Sequence, residues 1–167
     1  MKTFPGVLWT AACLTLFTVN PAAAVQPTAS YIFPAGGQRG TTVDVRIGGL
    51  YLHQGASLAL VGEGVTGPER ILPTETRVFP QVVVPQTYFS AELLFPRDYK
   101  AALRISPDAA PGMRYWQIWT SQGGTPPRRF VIGDLPEVIE HEVSGHALPE
   151  TVTLPVTTNG RIYPRED

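Results

Sequence analysis

From Pro27 to Gly133, no run longer than ten residues is free of glycine and proline. That spacing is the strongest constraint on what this chain can fold into. A globular helix wants roughly ten or more uninterrupted residues. A glycine in its interior costs about 1 kcal/mol and a proline about 3 kcal/mol. The runs between these breakers instead alternate with period two. In residues 41–47 (TTVDVRI), Val43, Val45 and Ile47 fall on one face and Thr42, Asp44 and Arg46 on the other, ahead of Gly48-Gly49. That pattern predicts a half-buried strand closed by the two glycines. Leu58 to Val61 reads as a short strand between Gly55 and Gly62. Ala101, Leu103 and Ile105 alternate again, before the turn Pro107-Asp108-Ala109-Ala110-Pro111-Gly112. Residues 113–120 (MRYWQIWT) precede a hairpin-type turn at Gly123-Gly124, and residues 128–132 form a closing strand that ends at Gly133. Pro68, Pro73 and Pro80 cut residues 65–80 into extended pieces. Val82-Val83-Val84, between Pro80 and Pro85, suits at most an edge strand. Residues 88–95 (YFSAELLF) fit a strand or a turn and a half of helix. The expected fold class is all-β, a sandwich of short strands.

Composition narrows the functional classes. The formal net charge is -1, so no basic footprint points to nucleic acid or to an anionic membrane surface. The first 24 residues read as a signal peptide. Lys2 gives a short positive segment, residues 7–19 (VLWTAACLTLFTV) are uncharged and apolar, and Asn20-Pro21 precedes the A-x-A site Ala22-Ala23-Ala24. About thirteen apolar residues fall short of the roughly twenty that a permanent helical span needs. Export is therefore expected, to the periplasm, the cell surface or the medium, with Val25 as the new N-terminus and no membrane span after cleavage. The single cysteine, Cys13, lies within this apolar run. Small residues and an end to the apolar stretch would mark a lipidation site, whereas Leu14-Thr15-Leu16-Phe17 continues the stretch. Cleavage would remove the only thiol, and with it any disulfide or thiolate chemistry.

Past Gly133 the character changes. Residues 134–150 form an acidic linker opening with Asp134-Leu135-Pro136-Glu137. Val152, Leu154 and Val156 then alternate as a further strand before Asn159-Gly160. One strand cannot bury two faces, so residues 151–167 are expected to open a second, truncated β domain or to dock on something else.

Two stretches carry a family resemblance. Ile32-Phe33-Pro34-Ala35-Gly36-Gly37-Gln38-Arg39-Gly40-Thr41-Thr42-Val43, followed by Gly48-Gly49-Leu50-Tyr51-Leu52, resembles the start of immunoglobulin-like modules of the IPT/TIG type. Ala109-Ala110-Pro111-Gly112, the aromatic strand, Gly123-Gly124 and residues 129–137 (RFVIGDLPE) agree with it. Together they are similar to the N-terminal domain of exported planctomycete-type bacterial proteins that continue into a bacterial pre-peptidase C-terminal (PPC) domain. Residues 137–162 look like the linker and first strand of that PPC domain. The acidic Glu-Pro-Asn-Asp element usual in such a linker is replaced here by Glu142-Val143-Ser144-Gly145-His146. The resemblance implies an immunoglobulin-like sandwich over residues 25–133. It also implies an accessory or adhesive role beside other modules, with no catalytic residues to carry over.

Candidate chemistry is sparse. His141-Glu142-Val143-Ser144-Gly145-His146 invites comparison with the zinc motif H-E-x-x-H, but the second histidine falls five residues on, about 140° round a helix from the first. Solvated linker histidines fit better. Ser144 lacks a G-x-S-x-G elbow and an orienting acid. The glycines at 36–40 do not lead from a strand into a helix, so they make no phosphate cradle. No catalytic residue, metal ligand or cofactor is expected. The aromatic strand is the informative feature. With Trp116 and Ile118 facing the core, Tyr115, Gln117 and Trp119 share the outer face, the two rings about 13 Å apart along the strand. Such a platform suits an interdomain contact or stacking on sugar rings. Arg128 and Arg129 read as strand-edge charges that discourage edge-to-edge pairing. The expected role is a non-catalytic module that spaces or docks neighbouring domains of the same polypeptide or other envelope proteins. A carbohydrate-binding module using Tyr115 and Trp119, and an accessory piece of a secreted peptidase, are the alternatives.

Overall fold

The computed structural model describes residues 25–75, 98–143 and 146–161, with Val143 and His146 described in their backbone alone. The segments read above as a signal peptide, as the Val82-Val83-Val84 edge strand and as the 88–95 strand or helix lie outside the described residues. So does Ser144.

The described chain is all-β. Two sheets face each other across one core. The first contains β1 (Thr28–Phe33), β3 (Thr42–Leu50), β7 (Tyr99–Ile105) and β5 (Val65–Thr66) in the order β1-β3-β7-β5, with β6 (Leu72–Pro73) also on β7. The second runs β2 (Gly36–Gln38), β10 (Arg128–Gly133), β8 (Gly112–Thr120) and β4 (Ser57–Val61), with β9 (Gly123–Gly124) on β8. Every pairing within the two sheets is antiparallel except β2 with β10. The chain passes from the first sheet to the second at Pro34-Ala35, between β1 and β2. This is the strand order of an immunoglobulin-like sandwich.

The predicted alternation is what builds the interface. Along β7 burial switches at every residue, so Tyr99, Ala101, Leu103 and Ile105 point inward. Val45 and Ile47 of β3 join them, with Val43 packed at the margin. From the other sheet come Leu58, Trp116, Ile118, Phe130 and Ile132. Each large side chain so buried contributes about 1.5–3 kcal/mol by leaving water. Trp116 also keeps its polar atom satisfied, since Nε1 donates to the Arg129 carbonyl at 3.3 Å. Asp98, fully buried, accepts a hydrogen bond from the Tyr31 hydroxyl.

Two glycine pairs sit differently from the expectation. Gly48-Gly49 does not close β3. The strand runs on to Leu50, with Gly48 paired to Tyr31 and Gly49 to Ala29 around a bulge in β1. A side chain at 48 would meet the Tyr31 ring, so glycine here permits a close approach rather than a turn. Gly123-Gly124 is likewise the returning strand of the hairpin, pairing with Thr120 and Trp119. Ser121-Gln122 makes the turn.

Beyond the sandwich, β11 (Glu137–Ile139) pairs in parallel with β14 (Thr157–Asn159), and β12 (Glu142–Val143) forms a hairpin with β13 (His146–Ala147). The strand expected at Val152 to Val156 falls later, at Thr157–Asn159. Pro155 has no N–H to give to a ladder, and Leu154 stays 79% exposed.

Candidate functional site

The outer face of the second sheet is where exposed apolar side chains gather. β8 supplies them because its inward set is fixed. Trp116 and Ile118 are fully buried, so the pleat turns Met113, Tyr115, Gln117 and Trp119 outward. The neighbouring strands complete the patch through their register. Val61 and Arg129 lie directly across from Tyr115 on its two sides, and Val131 lies across from Met113. Residues opposite one another in a ladder share a face. Val61, Met113, Tyr115, Trp119 and Val131 are all exposed, Tyr115 at 40% and Trp119 at 50%.

Trp119 is seated rather than loose. It pairs with Gly124, and a Cβ built on that glycine would lie 3.0 Å from three atoms of the six-membered ring. The indole therefore rests on the bare backbone of β9, with its remaining surface turned to solvent. Only glycine lets the ring lie so close. Gln117, partly exposed on the same face, also holds the loop beside it. Its Nε2 donates to the Thr125 carbonyl at 3.3 Å. Thr125, itself buried, clasps Ile118 twice: its N–H donates to the Ile118 carbonyl at 2.9 Å, and its Oγ1 accepts from the Ile118 N–H at 3.1 Å. The loop that follows β9 is thus laced to β8, which steadies the platform from behind.

Arg128 and Arg129 occupy the part of β10 that β2 does not cover, since β2 pairs only with Val131 to Gly133. Arg128 reaches across the gap to the other sheet, its Nε donating to the Ala29 carbonyl at 3.0 Å. Arg129 is exposed beside Tyr115. Among the described residues no strand covers this side of Arg128 and Arg129, and the stretch carries two cations, the arrangement expected of a guarded edge.

The histidine-containing stretch builds no metal centre among the described residues. His141 Nδ1 lies 3.2 Å from Glu150 Oε2 in an exposed pair. Among the described residues no group of three or more His, Cys, Asp or Glu side chains converges. A shallow groove of about 940 Å³ on the outer face of the first sheet is lined by Asp44, Arg46, Arg70, Leu72 and Lys100 among others. Its mixed charges alternate along the strands as on any solvated sheet face. Sequence reasoning identified Tyr115 and Trp119 but missed Val61, Met113 and Val131. Each is a lone apolar residue at an outward position of its strand, and only the cross-strand register joins them to the two rings.

No family model matches this chain, and no curated protein matches it.

Proposed function

We propose that the chain is an exported, non-catalytic interaction module that spaces or docks neighbouring domains of a larger cell-envelope or secreted protein. The observation that carries this reading is the apolar outer face of the second sheet, with Trp119 held against Gly124 and Tyr115 between Val61 and Arg129. Contiguous exposed apolar surface on a soluble domain marks a contact site more often than chance. Aromatic side chains with one arginine are the residues that dominate protein interfaces. A spacing role draws support from the path of the chain. Residue 28 enters opposite Leu50, at one end of the sandwich, and β10 leaves at Gly133 beside Gln38, at the other. The nine residues of β8 set those ends about 30 Å apart. A chain entering and leaving at opposite ends can be threaded in line between other modules.

Cross-linking mass spectrometry on the intact parent polypeptide tests the docking role. Cross-links should join the 113–119 and 128–131 strands to a neighbouring domain or envelope protein, and Tyr115→Ala with Trp119→Ala should remove them. Their absence from this face in the wild-type protein would discard the reading.

The seated indole favours a second reading, polysaccharide binding. A ring with one side buried on backbone and the other open is ready to stack on a sugar face. Retention of the wild-type domain by insoluble polysaccharides, lost in Trp119→Ala with an unchanged melting temperature, would select this reading over domain docking.

A further inference from the structure

The two arms of the segment after the sandwich are tied to each other by a contact unlike the surface pairs elsewhere. Glu142 and Arg161 meet at 3.0 Å between Oε2 and Nη2, with side-chain exposures of 2% and 19%. The contact is electrostatic rather than an aligned hydrogen bond, since among the described residues no N–H points squarely at Oε2. The other carboxylate oxygen, Oε1, accepts the backbone N–H of Arg161 at 3.0 Å. The guanidinium in turn lies over the Phe33 ring, 5.8 Å from its centroid, at the last residue of β1. One side chain thus joins three parts of the chain that are distant in sequence.

The rest of the segment is consistent with that anchor. β11 and β14 pair in parallel, extended by the Thr157 N–H to the Pro136 carbonyl at 2.8 Å and the Glu140 N–H to the Asn159 carbonyl at 2.9 Å. Asn159 Nδ2 donates to Glu137 Oε2 at 2.7 Å. At the exit from the sandwich, Arg39 bridges Asp134 at 2.7 Å and Gln38 Nε2 donates to the Asp134 carbonyl at 2.9 Å. A small cleft of about 380 Å³ remains between the two bodies. It is walled on one side by Pro34, Gly37 and Val43 and on the other by Pro136, Ile139 and Asn159.

We propose that residues 137–143 and 157–161 form a strap whose two arms are latched to each other by the Glu142–Arg161 pair, with Arg161 seating the closed strap over Phe33 at the end of the sandwich. The latch keeps β11 and β14 paired as one closed unit. The physical reason lies in the burial. An exposed ion pair trades almost evenly with water and leaves a tether free. A buried carboxylate that loses its cation is left in a poor solvent, so the open strap is strongly disfavoured while both partners are present. This inference does not depend on what the aromatic sheet face binds.

Hydrogen exchange on the full exported chain tests it, comparing wild type with Glu142→Gln and Arg161→Met. The readout is the Glu140 and Thr157 amides, which belong to the strap and donate to the Asn159 and Pro136 carbonyls rather than to either substituted side chain. Wild type should protect both. Each variant should speed their exchange on the order of a hundredfold, while the near-ultraviolet signal of buried Trp116 and the sandwich melting transition stay in place. Unprotected wild-type amides, or protection that neither variant alters, would overturn the proposal. Loss of the Trp116 signal together with the strap in both variants would overturn it too, by showing one inseparable core in place of a latch.

Discussion

Trp116 and Trp119 sit three residues apart on one strand and have opposite fates. Trp116 is fully buried against the facing sheet and donates to a carbonyl; Trp119 is half exposed on the outer surface. The difference comes from the parity of the pleat, not from the residue type. Truncating the first leaves a large void that the surrounding strands cannot close. Trp116→Ala should therefore cost about 3–5 kcal/mol, read as a lower midpoint in urea unfolding. A cost below about 1 kcal/mol would mean that the ring is not central to the core. That much was legible in the sequence, because Gln117 between the two tryptophans marks the outward set. Which outward neighbours surround Trp119 was not. Gly124 and Ser57 come to lie across from it only through pairings of β9 and β4 with β8, and a period-two pattern carries no record of its partner.

Whole strands show the same division. β3, β7 and β8 are long, alternate cleanly, and were recognisable from their own residues. β2 and β9 are made mostly of glycine and show no alternation. Their strand character comes from the ladders beside them. The glycines at 48–49 and 123–124 read as turns because glycine is the residue that turns most easily, yet each admits an aromatic ring to the backbone of a strand. The role of Gly124 gives a prediction at this scale. Gly124→Ala puts a methyl group against the indole and should lift Trp119 off β9. Trp119 emission should shift and quench more readily with acrylamide, while Trp116 emission holds. Unchanged quenching would show that the ring does not depend on the glycine for its seat.

At the scale of the molecule, one sandwich carries an aromatic outer face on one sheet and a strapped segment at one end. Chain entry lies at the other end. This polarity suits a module held in line between others, and the reading of residues 1–24 as a signal peptide would place it beyond the cytoplasmic membrane. N-terminal sequencing of the native product checks that reading. The exported species should begin at Val25, and a native product that retains residues 1–24 would remove the argument for export. Charge adds little, since a net charge of -1 neither steers partners nor repels copies.

The sequence by itself determined the all-β class, the inward and outward faces of the principal strands, and the two rings of the candidate contact. All three follow from local rules. Breakers exclude helices, alternation assigns faces, and a polar residue between aromatics orients them. Tertiary structure alone decided the parallel ladder of β2 on β10, the strap, the burial of Glu142 with Arg161, and the assembly of Val61, Met113 and Val131 around Tyr115. Those depend on contacts between residues far apart along the chain. Nineteen positions separate Glu142 from Arg161, and no local pattern ties one to the other. They meet only where the fold brings β12 and residue 161 side by side, with the guanidinium of Arg161 over the Phe33 ring.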